Sequence, residues 1–417
     1  MFMHTPVRLI VCAALLACVA VLAPARAQVA TLPAMHAGQA SVSGLSAGGY
    51  MAVQFDVAYS ASLLGAGVIA GGPYYCARGD LDTATAVCSC TGFGSCRVRT
   101  GGARIAELIA ATDRNGASGA VDPVTGLASH KIWLFSGSAD TTVPPPVMQD
   151  LRDYYAHYVT PANIFYKGDI AAQHAMPTDS FGNACDKLGS PYINNCAFDA
   201  AGALLQWIYG TLAPRSTQPP AGRFVEFDQA EFLPNPRLHG MAANGVLYVP
   251  PGCDGAEVRG CKLHVVFHGC KQDRGAIGEQ YIRQTGYNAW ADSNRIVLLY
   301  PQATASGSFN PNACWDWYSH DDPAYATKTG RQMLAVKHMV DRLTGALPGT
   351  PPALPGDKLA CVNASNAEHV RAGRAYARFL LAYAAGSNQF IGVDADIGST
   401  TLKRTGPGHY VFSWDAC

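Results

Sequence analysis

The stretch Gly44-Leu45-Ser46-Ala47-Gly48 decides how this sequence of 417 residues is interpreted. It has the pattern Gly-x-Ser-x-Gly, in which a serine occupies a sharp turn between a strand and a helix. A strand-like segment, Gln39 to Leu45, precedes the serine, and a helix-like run of small and apolar residues, Ala47 to Leu63, follows it. The flanking glycines let neighbouring backbone approach closely. We therefore predict that Ser46 is an exposed nucleophile; the alternative is an ordinary glycine-rich turn.

A serine nucleophile needs a general base, and the base needs an acid that orients it. Asp140 is the candidate acid because it lies in a loop after the apolar strand-like segment Lys131 to Phe135. His174 is the candidate base, since it follows another strand-like segment, Asn163 to Lys167. The order Ser, Asp, His along the chain is one that serine hydrolases use. The less well placed competitors are Asp113 and Asp169 for the acid, and His130, His157 and His268 for the base.

Acyl transfer also requires backbone N–H groups that stabilise the negatively charged oxygen of the intermediate. One predicted donor is the amide of Ala47, the residue after the nucleophile. The other is expected from a loop that follows a strand and often contains His-Gly. Residues 265–270, with the sequence VVFHGC, fit that loop.

Two Pro-rich stretches, residues 211–222 and 345–356, divide the sequence into three segments. In the first two segments, short apolar runs alternate with helix-like stretches, which predicts an α/β fold with a mostly parallel central sheet flanked by helices. The predicted strands not yet named are Gly65–Ala70, Gly245–Val249, Lys262–Phe267 and Arg295–Tyr300, and the further predicted helices are Tyr281–Asn294 and Gly330–Leu343.

The His-Gly loop at 265–270 follows the serine in this chain, whereas it usually precedes it. Joining the end of the second segment to the start of the first restores the usual order. We therefore predict a circular permutation in which residues 211–222 form the junction between the old ends. Such a rearrangement costs little, because the ends of a domain often lie close together at its surface.

Several motifs, taken together and in this permuted order, carry a resemblance to a known family. They are GLSAGGYMA at 44–52, GSADTTVPP at 137–145, QHAMP at 173–177, VVFHGCKQD at 265–273, LLYPQ at 298–302 and NACWDWYS at 312–319. They resemble the extracellular poly(3-hydroxybutyrate) depolymerases that are circularly permuted, single-domain α/β hydrolases. The resemblance covers about residues 40–345, and the second segment, reordered, is also similar to esterases related to the feruloyl and acetyl-xylan types.

The resemblance implies a secreted serine esterase that hydrolyses poly(3-hydroxybutyrate) to short oligomers and monomer, with no metal or organic cofactor. It assigns the triad to Ser46, Asp140 and His174, and the oxyanion hole to the backbone amides of Ala47 and Cys270. Two alternatives remain. One is an esterase of soluble esters or acylated polysaccharides that uses the same triad, and the other is a non-catalytic exported binding protein.

The resemblance also places a tryptophan beside the substrate crevice. Trp315 and Trp317 both match that position, and we favour Trp315 as the ring that faces substrate. The alternative is that both rings belong to the core.

The composition limits the classes of partner. Apolar residues make up 49% of the sequence and charged residues 14%, which excludes intrinsic disorder as the main state. Lys plus Arg and Asp plus Glu both number 30, and this balance argues against a nucleic-acid binder, which needs a basic surface. No stretch after the N-terminal region reaches the roughly 18 apolar residues of a membrane span. The expected partner is a solid polyester, and the expected state is a monomer.

The N-terminus has the features of a signal peptide. Arg8 precedes the apolar run Leu9 to Ala23, and Ala25-Arg26-Ala27 has the small-x-small pattern of a cleavage site. We expect a signal segment at 1–27 and a mature chain that begins near Gln28 and is exported, either into the medium or into the periplasm. The expected domains are a catalytic domain at 28–344, a linker at 345–356 and a small module at 357–417.

The cysteines agree with export. Of the 14 cysteines, Cys12 and Cys18 would leave with the signal segment, so an even number remains, which is typical of a disulfide framework. The pairs Cys185–Cys196 and Cys253–Cys261 are close enough in sequence to form easily. A zinc site at Cys88, Cys90 and Cys96 is the alternative for that cluster.

The last segment contains SNAEHVRAGRAY at 365–376 and TGPGHYVFSWDAC at 405–417. It resembles small C-terminal modules appended to such depolymerases. We expect either a polymer-binding module or a structural cap stapled by a Cys361–Cys417 disulfide.

Overall fold

A computed structural model of the chain describes Met1 and residues 29–412, apart from residues 93, 255–259, 308–309, 347–360, 379, 386–388, 398 and 407–408. Two compact units are present, one ending at Thr344 and the other beginning at Gly345. The predicted signal segment, Met1 excepted, and residues 347–356 of the predicted linker lie outside the described residues.

The first unit is built on an eight-stranded sheet with the order β4-β3-β2-β1-β10-β11-β9-β8, beside a small sheet of β5, β7 and β6. The strands are β1 Ala40–Leu45, β2 Leu63–Ile69, β3 Lys131–Phe135, β4 Ile164–Lys167, β5 Met176–Thr178, β6 Asn183–Ala184, β7 Ile193–Asn195, β8 Arg223–Asp228, β9 Asn244–Val249, β10 Lys262–Phe267 and β11 Ile296–Tyr300. Neighbours in the large sheet are parallel, except that β9 is antiparallel to both β11 and β8.

Helices cover both faces of this sheet, as a parallel sheet requires. They are α1 Ala47–Ala58, α2 Leu81–Ala86, α3 Ile105–Ala117, α4 Pro145–Tyr158, α5 Ala200–Tyr209, α6 Arg274–Ile277, α7 Gln280–Gln284, α8 Tyr287–Asn294 and α9 Arg331–Thr344. Side chains alternate between two apolar clusters along each strand. Val265 on β10 packs in the cluster of α1 and α9, and Val266 packs in the cluster of α5 and α8. The predicted α/β fold with a mostly parallel sheet is confirmed.

The strands predicted from apolar runs appear within two residues of their predicted bounds. The predicted helix Tyr281–Asn294 is instead divided into α7 and α8, because Gly286 between them adopts φ 91° in the left-handed region. Strand β8 was not predicted, since it is an edge strand with one fully buried side chain, that of Phe227. Such a strand lacks the continuous apolar run of a central strand.

The sheet order is compatible with the predicted permutation. Counted from β8 through to β11 and then from β1 to β4, the eight strands lie in the sheet in the order 1-2-4-3-5-6-7-8. The predicted junction at 211–222 connects α5 to β8 and contains neither helix nor strand. The permutation itself stays a prediction.

The described residues of the second unit form two three-stranded antiparallel sheets, β12-β16-β17 and β13-β14-β15, around a small apolar core. Its elements are β12 Cys361–Ala364, α10 Asn366–Arg371, β13 Ala375–Arg378, β14 Leu381–Ala384, β15 Phe390–Val393, β16 Thr400–Gly406 and β17 His409–Phe412. Across the described residues of both units, no helix has the length and hydropathy needed to span a membrane.

Disulfides tie the loops of the first unit. The predicted pairs Cys185–Cys196 and Cys253–Cys261 are confirmed. The zinc alternative is wrong, because two of its three cysteines bond to each other, Cys90 to Cys96, and the third, Cys88, bonds to Cys76. A fifth disulfide joins Cys270 to Cys314. The predicted partner of Cys361, Cys417, lies outside the described residues.

A buried ion pair between Asp56 on α1 and His130 joins this helix to the loop that precedes β3. His130 Nδ1 lies 2.8 Å from Asp56 Oδ1, and the Tyr155 hydroxyl donates to Asp56 Oδ2 at 3.0 Å. Burial alone would lower the pKa of His130, but the charge and hydrogen bond of Asp56 outweigh it, so the pKa of His130 is raised. His130 precedes β3 and thus lies at the opposite edge of the sheet from Asp140, which excludes it as a competitor for the base.

We expect His130→Leu to lower the free energy of unfolding of the first unit by about 3–5 kcal/mol, because it leaves a buried carboxylate unpaired. The raised pKa means that the pair stabilises the fold below pH ~6.5 and that this stabilisation is lost as the pH rises through the raised value. Urea unfolding at several pH values measures both effects. Asp56→Asn in the His130→Leu background should recover part of the loss; no recovery would contradict the ion-pair explanation.

Candidate active site

Ser46, Asp140 and His174 all follow the carboxyl ends of parallel strands. Ser46 follows β1, Asp140 follows β3 and His174 follows β4. Since the carboxyl ends of parallel strands lie at one edge of a sheet, the three residues lie at the same edge, where α/β proteins place their sites. The Ser46 N–H donates to the carbonyl of Ile69, the last residue of β2, at 2.9 Å, which joins the serine turn to that edge.

The turn at Ser46 is strained, as the motif predicts. Ser46 has φ 58° and ψ −124°, which is unusual for a residue with a side chain. A Cβ on Gly44 would lie 2.1 Å from the Gly48 carbonyl oxygen, and a Cβ on Gly48 would lie 2.3 Å from the Phe267 carbonyl oxygen. Both glycines are therefore required by close backbone contacts, one within the turn and one between α1 and the end of β10.

Asp140 and His174 are joined directly. His174 Nδ1 lies 2.8 Å from Asp140 Oδ2, and both residues are buried. The other oxygen, Asp140 Oδ1, accepts the backbone N–H groups of Thr142 and Val143, each at 2.8 Å. These bonds hold the carboxylate so that Oδ2 faces the imidazole. The hydrogen bond to the carboxylate assigns the proton to Nδ1 and leaves Nε2 as a proton acceptor.

Gln173 holds the backbone of His174, the predicted base, and was not anticipated from the sequence. Its Oε1 accepts the backbone N–H of His174 at 3.1 Å and that of Thr141 at 3.3 Å, which links the loop of the base to the loop of the acid. The only signal in the sequence is its place next to His174 in the QHAMP motif.

The Ser46 hydroxyl makes no hydrogen bond with His174 among the residues that the structure describes. Contacts between a nucleophile and its base are often long in a free enzyme and tighten in the substrate complex. Tyr50 lies one helical turn after Ser46 on α1. Burial and the negative charge of Asp140 both raise the pKa of Tyr50, so the carboxylate lies near the start of α1.

The two predicted oxyanion donors are available beside the serine. Ala47 is the first residue of α1, where N–H groups have no partner within the helix. Among the described residues, neither the Ala47 N–H nor the Cys270 N–H donates a hydrogen bond. A Cβ on Gly269 would lie 3.2 Å from Ser46 Cβ, so the His-Gly loop lies directly against the nucleophile.

The two tryptophans that were predicted beside the substrate crevice have different surroundings. Trp315 is 0% exposed, and its Nε1–H donates to the His268 carbonyl at 3.0 Å, so it supports the His-Gly loop from within the core. Full burial argues against Trp315 as the substrate-facing ring, and that assignment stays a prediction. Trp317, which is 7% exposed, stacks on Tyr50 of α1, with ring centroids 4.0 Å apart, one helical turn from Ser46.

This arrangement suits acyl transfer at an ester. A serine hydroxyl on a strained turn, a histidine held by a carboxylate and two backbone N–H groups without a partner among the described residues are the groups that such a reaction uses. Within the described residues, no cluster of three or more His, Cys, Asp or Glu side chains could hold a metal ion.

Comparison with known proteins identifies relatives that are all described as depolymerases of polyhydroxybutyrate. The family model for esterase PHB depolymerases matches residues 244–348. The chain is 49% identical over 319 residues to the poly(3-hydroxybutyrate) depolymerase of Delftia acidovorans, a match that covers 76% of this chain and 62% of that protein. It is 39% identical over 342 residues to the polyhydroxybutyrate depolymerase of Talaromyces funiculosus, covering 78% of this chain and 96% of that protein.

Two solved structures that resemble the chain are also PHB depolymerases. The chain matches a PHB depolymerase variant complexed with an R3HB trimer with a TM-score of 0.68, and the PHB depolymerase of Penicillium funiculosum with a TM-score of 0.67. In both cases the sequence identity is 38%, and 76% of this chain accounts for 100% of the solved chain. About a quarter of the chain thus has no counterpart in these structures.

We expect Gly48→Ala to lower kcat about 10²-fold, because the added methyl group would force the nucleophile turn and the His-Gly loop apart, and displacements near 1 Å have effects of that size. Turnover of a soluble p-nitrophenyl ester, together with a thermal unfolding curve, measures the effect. Gly94→Ala is the matched control, since a Cβ there would meet nothing within 4 Å. Equal activity of the two variants would contradict the close-contact argument.

Proposed function

Because the chain belongs to the poly(3-hydroxybutyrate) depolymerase family, we propose that it hydrolyses the ester bonds of that polymer, with Ser46, His174 and Asp140 as its catalytic triad. The observation that carries the proposal is the hydrogen bond between His174 Nδ1 and Asp140 Oδ2, at the same sheet edge as the strained Ser46 turn. A base held in this way has its Nε2 free for the serine proton.

The reaction would begin when His174 takes the proton of Ser46 and Ser46 Oγ attacks an ester carbonyl of the polymer. The negative charge that develops on the carbonyl oxygen would be stabilised by the N–H groups of Ala47 and Cys270. His174 would then give its proton to the departing alkoxide, which releases one part of the chain with a free hydroxyl group. The other part would remain as an ester of Ser46.

Hydrolysis of this acyl-enzyme would reverse the roles. His174 would take a proton from water, the resulting hydroxide would attack the acyl carbon, and Ser46 Oγ would leave and recover the proton. Asp140 would remain ionised throughout and stabilise the imidazolium. The products are short 3-hydroxybutyrate oligomers and monomer.

The composition of the chain supports a neutral solid as substrate. Only 14% of the residues are charged, and basic and acidic residues balance, so docking on an uncharged polyester would require no electrostatic steering. We also propose that the protein is exported, since its disulfides are typical of an oxidising compartment.

The second unit adds a surface that suits an apolar polymer. Tyr376, Tyr383 and Phe390 occupy paired positions on the adjacent strands β13, β14 and β15. The two tyrosine rings lie 5.5 Å apart, and the Tyr383 and Phe390 rings lie 5.7 Å apart. Phe390 is 59% exposed, and Val393 on the same strand is 58% exposed. We propose that this aromatic row contacts the polymer.

A second candidate function uses the same triad on soluble esters or acylated polysaccharides. The triad determines the reaction but not the acid that is released, so solid polymer and soluble ester have to be compared directly.

Ser46→Ala should lower turnover on the order of 10⁶-fold, as removal of a triad nucleophile does. The measurement is the clearing of a poly(3-hydroxybutyrate) suspension by the purified, oxidised protein, with hydrolysis of p-nitrophenyl butyrate in parallel. Clearing by the wild-type protein but not by the variant is the expected result. A loss of only a few-fold would remove Ser46 from the proposed mechanism, and soluble-ester activity without clearing would favour the second candidate.

Phe390→Ala should weaken adsorption to poly(3-hydroxybutyrate) particles roughly 10-fold or more, since burial of a phenylalanine contributes about 1.5–3 kcal/mol. Adsorption isotherms in the Ser46→Ala background measure binding without hydrolysis. Leu81→Ala, which removes a 54% exposed side chain from the first unit, is the matched control. Unchanged adsorption of Phe390→Ala would indicate that the second unit is a structural cap.

A further inference from the structure

In the His-Gly loop after β10, the backbone polar groups that precede the Cys270 N–H all have hydrogen-bond partners. The His268 carbonyl accepts Nε1–H of Trp315 at 3.0 Å, and the Gly269 N–H donates to Gln272 Oε1 at 2.8 Å. The Gly269 carbonyl lies 2.7 Å from His268 Nδ1. Among the described residues, the Cys270 N–H between these groups donates to none.

The bond to the Gly269 carbonyl determines where the Cys270 N–H points. A peptide unit is planar and trans, so its C=O and N–H point in opposite directions. Holding the Gly269 carbonyl against the His268 ring therefore turns the Cys270 N–H away from that ring. Because Gly269 lies directly against Ser46, this N–H is left beside the nucleophile.

The ring has the protonation state that this bond needs. The backbone N–H of Ala303 donates to His268 Nε2 at 3.0 Å, so Nε2 must carry a lone pair. Nδ1 then carries the proton and donates to the Gly269 carbonyl. Complete burial lowers the pKa of His268, which favours the neutral ring. One ring nitrogen, Nδ1, thus donates a hydrogen bond, and the other, Nε2, accepts one.

We propose that His268 is a positioning residue for the reaction: by donating its Nδ1–H to the Gly269 carbonyl, it aims the Cys270 N–H at the developing oxyanion. The inference rests on the proposed function and adds to it the group that orients the second oxyanion donor. His268 itself does not touch substrate, and its role is distinct from that of the base, His174.

Two substitutions separate the two hydrogen bonds of the ring. His268→Asn places an amide N–H near the position of Nδ1, so it can keep the bond to the Gly269 carbonyl while losing the bond from Ala303. His268→Gln places its amide near the position of Nε2, so it can keep the bond from Ala303 while losing the bond to the Gly269 carbonyl. Both remove the same buried ring, and thermal unfolding curves show whether their stabilities are comparable.

With a soluble p-nitrophenyl ester, kcat of His268→Gln should fall about 10²–10³-fold, as it does when one oxyanion donor is lost. KM should change less than about threefold, because the interaction is made in the transition state. His268→Asn should be at least about tenfold more active than His268→Gln. Inhibition by a boronic acid, which forms a tetrahedral adduct with the serine, should weaken in parallel with kcat. Equal kcat values, or a less active His268→Asn, would overturn the proposal.

A measurement on the wild-type protein keeps the inference testable if neither variant folds. Nitrogen chemical shifts of ¹⁵N-histidine should show that the buried His268 carries its proton on Nδ1. A proton on Nε2 would overturn the proposal. The outcome is separable from the proposed function, because failure of that function would appear as unchanged activity of Ser46→Ala, whatever the state of His268.

Discussion

The site depends on how closely the start of α1 approaches the end of β10. A Cβ on Gly48 would lie 2.3 Å from the Phe267 carbonyl oxygen, so only a glycine permits this contact. Strands β1 and β10 are parallel neighbours with Gly44 opposite Phe267, and they therefore end at the same level. The strained turn at Ser46 begins where the His-Gly loop begins. Ser46 and Cys270, the proposed nucleophile and the proposed oxyanion donor, are far apart in the sequence and meet for this reason.

A buried hydrogen-bond network holds these two strands together beneath the site. The hydroxyls of Ser41 and Ser43 on β1 lie 2.6 and 2.7 Å from the two ring nitrogens of His264 on β10, and Ser43 also contacts the hydroxyl of Tyr287 on α8 at 2.8 Å. Burial lowers the pKa of His264 to about 3, so the ring stays neutral and pairs with hydroxyls that can donate or accept. A buried network with every member satisfied makes its surroundings rigid. The strand that carries Ser46 is thereby fixed relative to the strand that carries the His-Gly loop.

The parts of this structure that could be predicted from the sequence have local causes. A central parallel strand is buried on both faces, so β3 and β10 appear as apolar runs, and the elbow at Ser46 appears because only glycines fit around it. The remaining features depend on contacts between distant segments. Trp315 and Trp317 are two residues apart and chemically identical, and only packing decides that the first supports the His-Gly loop while the second stacks on Tyr50.

The contacts of Gln173 and Gln272 could not be predicted from the sequence either, because they also join distant segments. Those of Gln272 explain how the His-Gly loop keeps its distance from the segment of His174. Gln272 is buried, accepts the Gly269 N–H through Oε1 and donates through Nε2 to the Tyr192 carbonyl at 3.0 Å. That carbonyl also accepts the N–H of Met176, two residues after His174. One amide thus joins the His-Gly loop to the segment that carries His174, the proposed base. Acyl transfer needs both groups in place within a fraction of an ångström. An amide can meet this demand because it donates and accepts at once, whereas a carboxylate could only accept and an aliphatic side chain could do neither. The sheet brings the two loops to one edge, and the buried amide between them sets their distance.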